Sequence, residues 1–460
     1  MLPVKLIVRN PHSQHMALER QIVMPTFALI PGIMGTYLKR NGAEIWPLFH
    51  GSSDDQARQL TKEDTETGDI IGSIRGFYDI YDPTVNYIKK DTNWSLKTFP
   101  YDWRVDLLTT AVLLRDFLDG IRGPIIIIAH SMGGLITRHL LESGNYRNAN
   151  ITDVIFAATP HLGAPEALMR ILGQTGLGCL SLNPANFAYM AGFAQTFPAG
   201  HQLLPAPGRS FFRTPPGWTV DLYNGKFKPS DAAFQYGVGR VAALHAGLTG
   251  RIPEGTKYHC FYGDSIDRTR IAVDLIESKG GLRINPDQPT DCFALGDGTV
   301  PIWSSSTQRI AWSTITGCPS DHIGVASDGL LLKFLGQLSG ATVAASTAPT
   351  LALNSRAFLP GSLANVILDL RGSPSKIGGH IAIFSADNTE AAVGEVLPVS
   401  TAAATDFLSL WVPMPNKAGQ YVVKFVDTNQ NAVQSSPCNV VTRKSAARAR
   451  KRTAETVVAF

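Results

Sequence analysis

The 460-residue sequence predicts an α/β fold followed by a small antiparallel β-sandwich, on three observations. From about residue 20 to 340, short apolar runs alternate with stretches of helical spacing, the pattern of strand–helix–strand units that pair in parallel. From 351 to 442, apolar and polar residues alternate between closely spaced turn signals, as the strands of a sandwich do. Between the two, 341–350 is rich in Ala, Ser and Thr, which suits a linker.

The elements follow in order. Phe27–Ile30 is an apolar run ended by Pro31-Gly32, and Thr109–Leu118 has helical spacing closed by Asp119-Gly120. Ile125–Ala129 is β-branched and too short for a buried helix, so it reads as a buried strand. Met132–Leu141 returns to helical periodicity, Val154–Ala158 to a strand. From about 162 to 256 the pattern degrades into Gly, Pro, Phe and Asn, which predicts an insertion capping the sheet. Lys257–Tyr262 restores a strand and Leu332–Leu338 closes the unit with a helix. In the second unit Asn365–Arg371, His380–Phe384 and Tyr421–Val426 are strands, and Tyr421 is placed to form a tyrosine corner.

Composition excludes several functions. The net charge is +4, but residues 443–460 carry six basic residues against Glu455, a net of +5, leaving −1 for the rest. A near-neutral body excludes a broad phosphate-binding surface, so no nucleic-acid partner is expected. The tail reads as disordered; its one suggested role is weak attraction to an anionic membrane surface, and the alternative is a solvated terminus without a partner. No run approaches 18 apolar residues, and the N-terminus has no continuous apolar segment of the secretory kind. The five cysteines, Cys179, Cys260, Cys292, Cys318 and Cys438, show no C-x-x-C spacing, so no metal or cofactor is expected and a reducing, cytoplasmic location fits.

The chemistry concentrates at Ile125-Ile-Ile-Ile-Ala-His-Ser-Met-Gly-Gly134. A buried strand runs into Ser131, flanked by small residues at Ala129 and Gly133, and a helix follows: the context of a nucleophile elbow and hence of an α/β-hydrolase fold. Ala129 stands where that motif usually has glycine. A serine needs a base and an orienting acid, in the chain order Ser, acid, His. Asp297, in Gly296-Asp-Gly-Thr-Val-Pro301, and His322, in Ser320-Asp-His-Ile-Gly324, are the best candidates; Asp264 is the alternative acid. His130 adjoins the serine with its side chain diverging from Oγ, so it reads as a packing or supporting residue. The oxyanion of acyl transfer needs two N–H donors, for which Met132 and Ile33 are the candidates, with Met34 the alternative to Ile33.

These pieces resemble the lecithin:cholesterol acyltransferase family, which includes lysosomal phospholipase A2 and phospholipid:diacylglycerol acyltransferase. They are Ile30–Leu38, Trp46, Pro100-Tyr-Asp-Trp-Arg104, Ala129–Gly134, the cap segment Phe197–Pro205, Gly296–Pro301 and Asp321-His322-Ile323, in the family's order. The resemblance spans about 25 to 338 and none of the sandwich. It implies a triad of Ser131, Asp297 and His322 and oxyanion donors at Ile33 and Met132. Trp46 and the cap's apolar residues, among them Phe187, Tyr189, Met190, Phe193, Phe197, Leu203 and Leu204, are expected to contact the substrate's acyl chain; the alternative for the cap residues is that they only pack the insertion onto the sheet. Secreted members hold a lid with an early disulfide. Here 46–94 has no cysteine and is polar (Asp54, Asp55, Glu63, Asp64, Glu66), so a lid is expected to be held by packing alone and not to dock on membranes.

The function expected is a serine-dependent lipid ester hydrolase or O-acyltransferase working through an acyl-enzyme. The alternatives are a non-catalytic binding or scaffold protein on a hydrolase fold, whose sandwich recruits an unknown protein partner, and a non-lipid serine esterase.

Overall fold

The computed structural model describes residues 24–47, 54–74, 78–92, 94–144, 146–171, 196–209, 211–214, 218–220, 223, 232–278, 281–285, 287–339, 350–353, 357–358, 360–369, 378–401, 407–428 and 432–440. The basic tail, nearly all of the expected linker, and the apolar cap residues Phe187, Tyr189, Met190 and Phe193 lie outside them.

The chain builds a six-stranded sheet, every neighbouring pair parallel. Across the sheet the strands run Thr314–Cys318, Lys257–Gly263, Ile151–Ala157, Ile125–His130, Thr26–Ile30, Ser95–Thr98. Strands of such a sheet are covered on both faces, so they read as continuous apolar runs; Ile125–His130 is buried at all six positions. Burying each isoleucine side chain of that run contributes roughly 2–3 kcal/mol. Helix Leu107–Asp119 packs beside Met132–Glu142, and Asp82–Asp91 beside Gly329–Ser339, supplying the covering layers. The first of these begins two residues earlier than its apolar spacing suggests, because Asp106 caps it by accepting a hydrogen bond from Leu108 N–H at 2.7 Å.

Strand order decides where a site can form. After Thr26–Ile30 the chain goes to Ser95–Thr98 on one side, then returns to Ile125–His130 on the other. The carboxyl ends of Thr26–Ile30 and Ile125–His130 therefore flank the topological switch point, where the following loops part and leave a crevice. The loop 31–35 and Ser131 sit there.

The expected insertion at 162–256 differs in one respect. Its strands Phe212–Thr214 and Trp218–Val220 join Val273–Ser278 and Gly281–Ile284 in a four-stranded sheet. The chain thus returns to the cap after contributing Lys257–Gly263 to the central sheet. A separate core of Leu168, Leu204, Phe212, Val241, Val273 and Leu275 holds this region together.

Residues 350–440 form two further sheets that bury their facing residues in one core, including Val366, Leu368 and Val412 from one and Ile383, Val423 and Phe425 from the other. That is a sandwich. Among the described residues its pairings are antiparallel except a two-residue one between Ala357–Phe358 and Ala432–Val440. Tyr421 Oη donates to the Lys417 carbonyl at 2.8 Å, the upstream bond of a tyrosine corner. Among the described residues no helix is long and apolar enough to cross a membrane, and the four described cysteines, Cys260, Cys292, Cys318 and Cys438, are buried and form no disulfide with one another.

Candidate active site

The turn after Ile125–His130 places Ser131 at φ 52°, ψ −122°, a conformation that costs a non-glycine residue about 1–3 kcal/mol. It is held by Ser131 N–H donating to Ala157 O at 2.8 Å, on the neighbouring strand, and by helix Met132–Glu142 starting immediately afterwards. Gly133 is required for a second reason. A Cβ there would lie 2.5 Å from Pro31 O and 2.7 Å from Ile30 O, so only glycine lets the loop 31–35 approach the elbow.

That loop is tied down on three sides. Tyr101 Oη donates to Pro31 O at 2.8 Å, Trp46 Nε1 to Met34 O at 2.9 Å, and Gly32 N–H donates to Tyr81 Oη at 2.8 Å. Of the candidate donors, Met132 follows Ser131 at the first turn of a helix, and Ile33 lies on the pinned loop beside Gly32, where a Cβ would come 2.9 Å from Ser131 Cβ. A helix N-terminus favours negative charge at that point.

His322 Nε2 lies 2.8 Å from Ser131 Oγ, and His322 Nδ1 lies 2.8 Å from Asp297 Oδ2. Asp297 is buried, and its Oδ1 accepts from Thr299 N–H at 2.8 Å and Val300 N–H at 2.6 Å, which aims Oδ2 at the imidazole. His322 N–H donates to Asp297 O at 2.8 Å, so backbone and side chain are held by one residue. The alternative acid Asp264 follows Lys257–Gly263 and lies against Gly317, where a Cβ would come within 2.5 Å of its carboxylate; His322 Nδ1 bonds Asp297 instead. A hydroxyl, an imidazole and a buried carboxylate in one hydrogen-bonded line can move a proton off the hydroxyl as it attacks a carbonyl.

Of the residues expected at the substrate, Trp46 and Leu204 are fully buried. Trp46 packs edge-on to Trp103 and anchors the loop at Met34, while Leu204 belongs to the cap core. Phe197 meets Trp103 edge-on, and Leu203 is half-buried at the other end of helix Pro198–Gln202.

Two features escape sequence reading. One is Tyr81, which no local signal links to Ser131 fifty residues on. The second is a correction: the described part of 46–94 is not held by packing alone. Arg104, the last residue of Pro100–Arg104, donates to Leu60 O, Lys62 O and Thr65 Oγ1 while its Nε meets Asp102 Oδ1 at 2.8 Å. A buried guanidinium with five donors gathers carbonyls from a loop without a disulfide.

Two further histidines off this line are the buried His161 and the half-buried His245. Burial pushes His161 well below the ordinary imidazole range, with Arg138 adding to the effect, and its ring packs on Phe156 and Trp312. Burial likewise lowers His245 to about 4.

Comparison with known proteins bears on this geometry. The family model for lecithin:cholesterol acyltransferase matches residues 74–234. The resemblance to that family holds. The match includes the elbow serine and the Pro100–Arg104 segment, and stops before Asp297 and His322. The chain is 21% identical over 258 residues to the lysosomal phospholipase A and acyltransferase of Bos taurus, covering 51% of this chain and 60% of that protein. It is 25% identical over 221 residues to the lecithin-cholesterol acyltransferase-like 1 of Arabidopsis thaliana, covering 46% and 49%. The matches thus span about half to three-fifths of these relatives' lengths. Among solved structures, one titled as the Tle4–Tli4 complex has a TM-score of 0.46 at 14% identity, over 70% of this chain and 99% of that one. The α/β-hydrolase assignment rests on the chain's own strand order and elbow.

Proposed function

We propose that the protein is a serine-dependent lipid ester hydrolase or O-acyltransferase of the lecithin:cholesterol acyltransferase type. The observation that carries this is the unbroken line Asp297–His322–Ser131 at the switch point of the sheet. In this reading His322 Nε2 takes the Ser131 proton as Oγ bonds to the acyl carbon, and Asp297 stabilises the imidazolium. The negative oxygen is held by Ile33 and Met132 N–H. The ester C–O bond then breaks, His322 returns the proton to the leaving alkoxide, and an acyl-enzyme remains. Water or an acceptor alcohol, deprotonated by the same imidazole, releases the acyl group and restores Ser131.

The names of the relatives, phospholipase A and acyltransferase, support a lipid acyl ester as substrate. Phe197 and Leu203 border the acyl chain, while Trp46 and Leu204 support the walls behind them. The tail at 443–460 adds a weak contact with an anionic membrane, and the location is cytoplasmic. Residues 20–340 are the catalytic domain and 351–442 a separate sandwich domain.

A fluorophosphonate probe is expected to label the wild type at one site and to leave Ser131→Ala unlabelled. Equal labelling of the two, or none of the wild type, sinks the reading and favours a binding protein on this fold. A chain-length series of p-nitrophenyl esters separates lipid from short-chain esterase activity.

A further inference from the structure

His130 precedes the candidate nucleophile and points away from it, yet both its ring nitrogens are engaged. His130 Nδ1 lies 2.8 Å from Tyr81 Oη, and His130 Nε2 lies 2.9 Å from the carbonyl oxygen of His322. Hydrogen-bond chemistry fixes the direction of every bond. Gly32 N–H can only donate, so Tyr81 Oη accepts it and turns its own proton to His130 Nδ1. The His322 carbonyl can only accept, so His130 Nε2 carries the ring proton. One polarised line therefore runs Gly32 N–H, Tyr81 O–H, His130, His322 C=O.

The ends of this line are the two parts of the site that arrive on different loops. Gly32 belongs to the loop 31–35 that carries the candidate oxyanion donor. His322 is the candidate base, nearly 300 residues later. The close approach is built in: a Cβ at Gly32 would lie 3.0 Å from His130 Nδ1 and 2.9 Å from Ser131 Cβ. The segment bearing Tyr81 is also fastened to the chain just after His322. Thr84 Oγ1 donates to Ala326 O at 2.6 Å, and Ser327 Oγ donates to Ile80 O. The rings of His130 and His322 are 5.3 Å apart, centroid to centroid. Burial, with the neighbouring His322 adding to it, lowers His130 to about 3. A neutral ring is compatible with an imidazolium forming on His322; a charged one would oppose it.

We propose that Tyr81 and His130 are positioning residues that couple the oxyanion loop to the catalytic histidine, so that donor and base are set against Ser131 as one unit. This rests on the Ser131–His322–Asp297 reading. Neither residue touches the reacting atoms. Removing any bond of the line is expected to leave ester binding in place and slow the chemical step.

The test uses the full-length chain and a p-nitrophenyl ester. Tyr81→Phe, which removes one oxygen, is expected to lower kcat about tenfold with KM within about twofold of wild type. At position 130, Gln keeps a donor that reaches the His322 carbonyl, whereas Phe fills the ring volume and donates nothing. His130→Gln is expected to exceed His130→Phe in kcat by about tenfold at equal fluorophosphonate-titrated site concentration. A merely packing role predicts the opposite order, and that order overturns the proposal. So does a Tyr81→Phe enzyme with wild-type kcat. If His130→Phe fails to fold, the Tyr81→Phe split between kcat and KM decides alone. If the wild type neither takes the probe nor turns over ester, the triad reading has failed, an outcome distinguishable from failure of the coupling.

Discussion

Ser131 carries a left-handed φ that glycine adopts without strain and serine adopts only at a cost. The strain is retained because the turn presents Oγ at the crevice beside His322. Ser131→Gly is therefore expected to raise stability by about 1 kcal/mol while abolishing ester turnover. The measurement is thermal or urea unfolding of Ser131→Gly beside Ser131→Ala, which keeps the strain. Equal stability of the two removes strain from the account. At this scale much is legible without coordinates. Ala129, Gly133 and Gly134 flank Ser131 in the chain because the turn needs small neighbours, and covalent adjacency keeps that signal together. Tyr81 has no such adjacency, and His130 is a lone histidine whose two partners lie 49 and 192 residues away.

At the scale of elements, the described part of 46–94 is the instructive case. Its strand Glu66–Ile70 pairs with Thr36–Arg40, which pairs with Ala43–Trp46 on its other side, and a short helix forms at Asp54–Gln59. Arg104 joins the stretch 60–65 to the main body through two carbonyls and a hydroxyl, balanced by Asp102. Arg40 adds a pair with Asp64 at 2.9 Å, but this one is exposed and contributes little. Arg104→Ala leaves buried acceptors and Asp102 without their partner, which is expected to cost about 3 kcal/mol. Arg104→Lys keeps the charge but not the fork. It is expected to raise amide exchange selectively at 60–65, read by hydrogen-exchange mass spectrometry. Exchange rising evenly over the whole chain would contradict a local clip. The sequence shows the polarity of this stretch and the lack of cysteine. It does not show that a guanidinium forty residues later holds it.

Over the whole molecule, buried and half-buried histidines set a pH dependence. His130 is held at about 3 and His245 at about 4, and His161 lies well below the ordinary value, in each case chiefly by burial. In the unfolded chain each titrates near 6.5. Above about pH 6.5 neither state holds these protons and stability is complete. Below it the unfolded chain binds protons that the native state refuses, so stability falls as pH drops toward 4. The expected loss is up to about 1.4 kcal/mol per pH unit for each histidine. Thermal unfolding of the full chain is expected to show a lower Tm at pH 5.5 than at 7.5, with net proton uptake on unfolding. A Tm unchanged across that window would mean these rings are protonated in the native state.

Periodicity, turn residues and adjacency determined the parallel sheet, the alternating strands after 350, the elbow at Ser131 and the order in which an acid and a base follow it. Each is a local pattern, written in residues that are neighbours along the chain. The sequence favoured Asp297 over Asp264 as the acid, but only tertiary structure sets its carboxylate 2.8 Å from His322 Nδ1. Tertiary structure also decided that the insertion shares its sheet with 273–284, and that Arg104, Tyr81 and His130 hold the loops. Those outcomes depend on distances between residues tens to hundreds of positions apart. Only the packing of the sheet and its crossovers brings such residues within the roughly 3 Å over which a hydrogen bond acts.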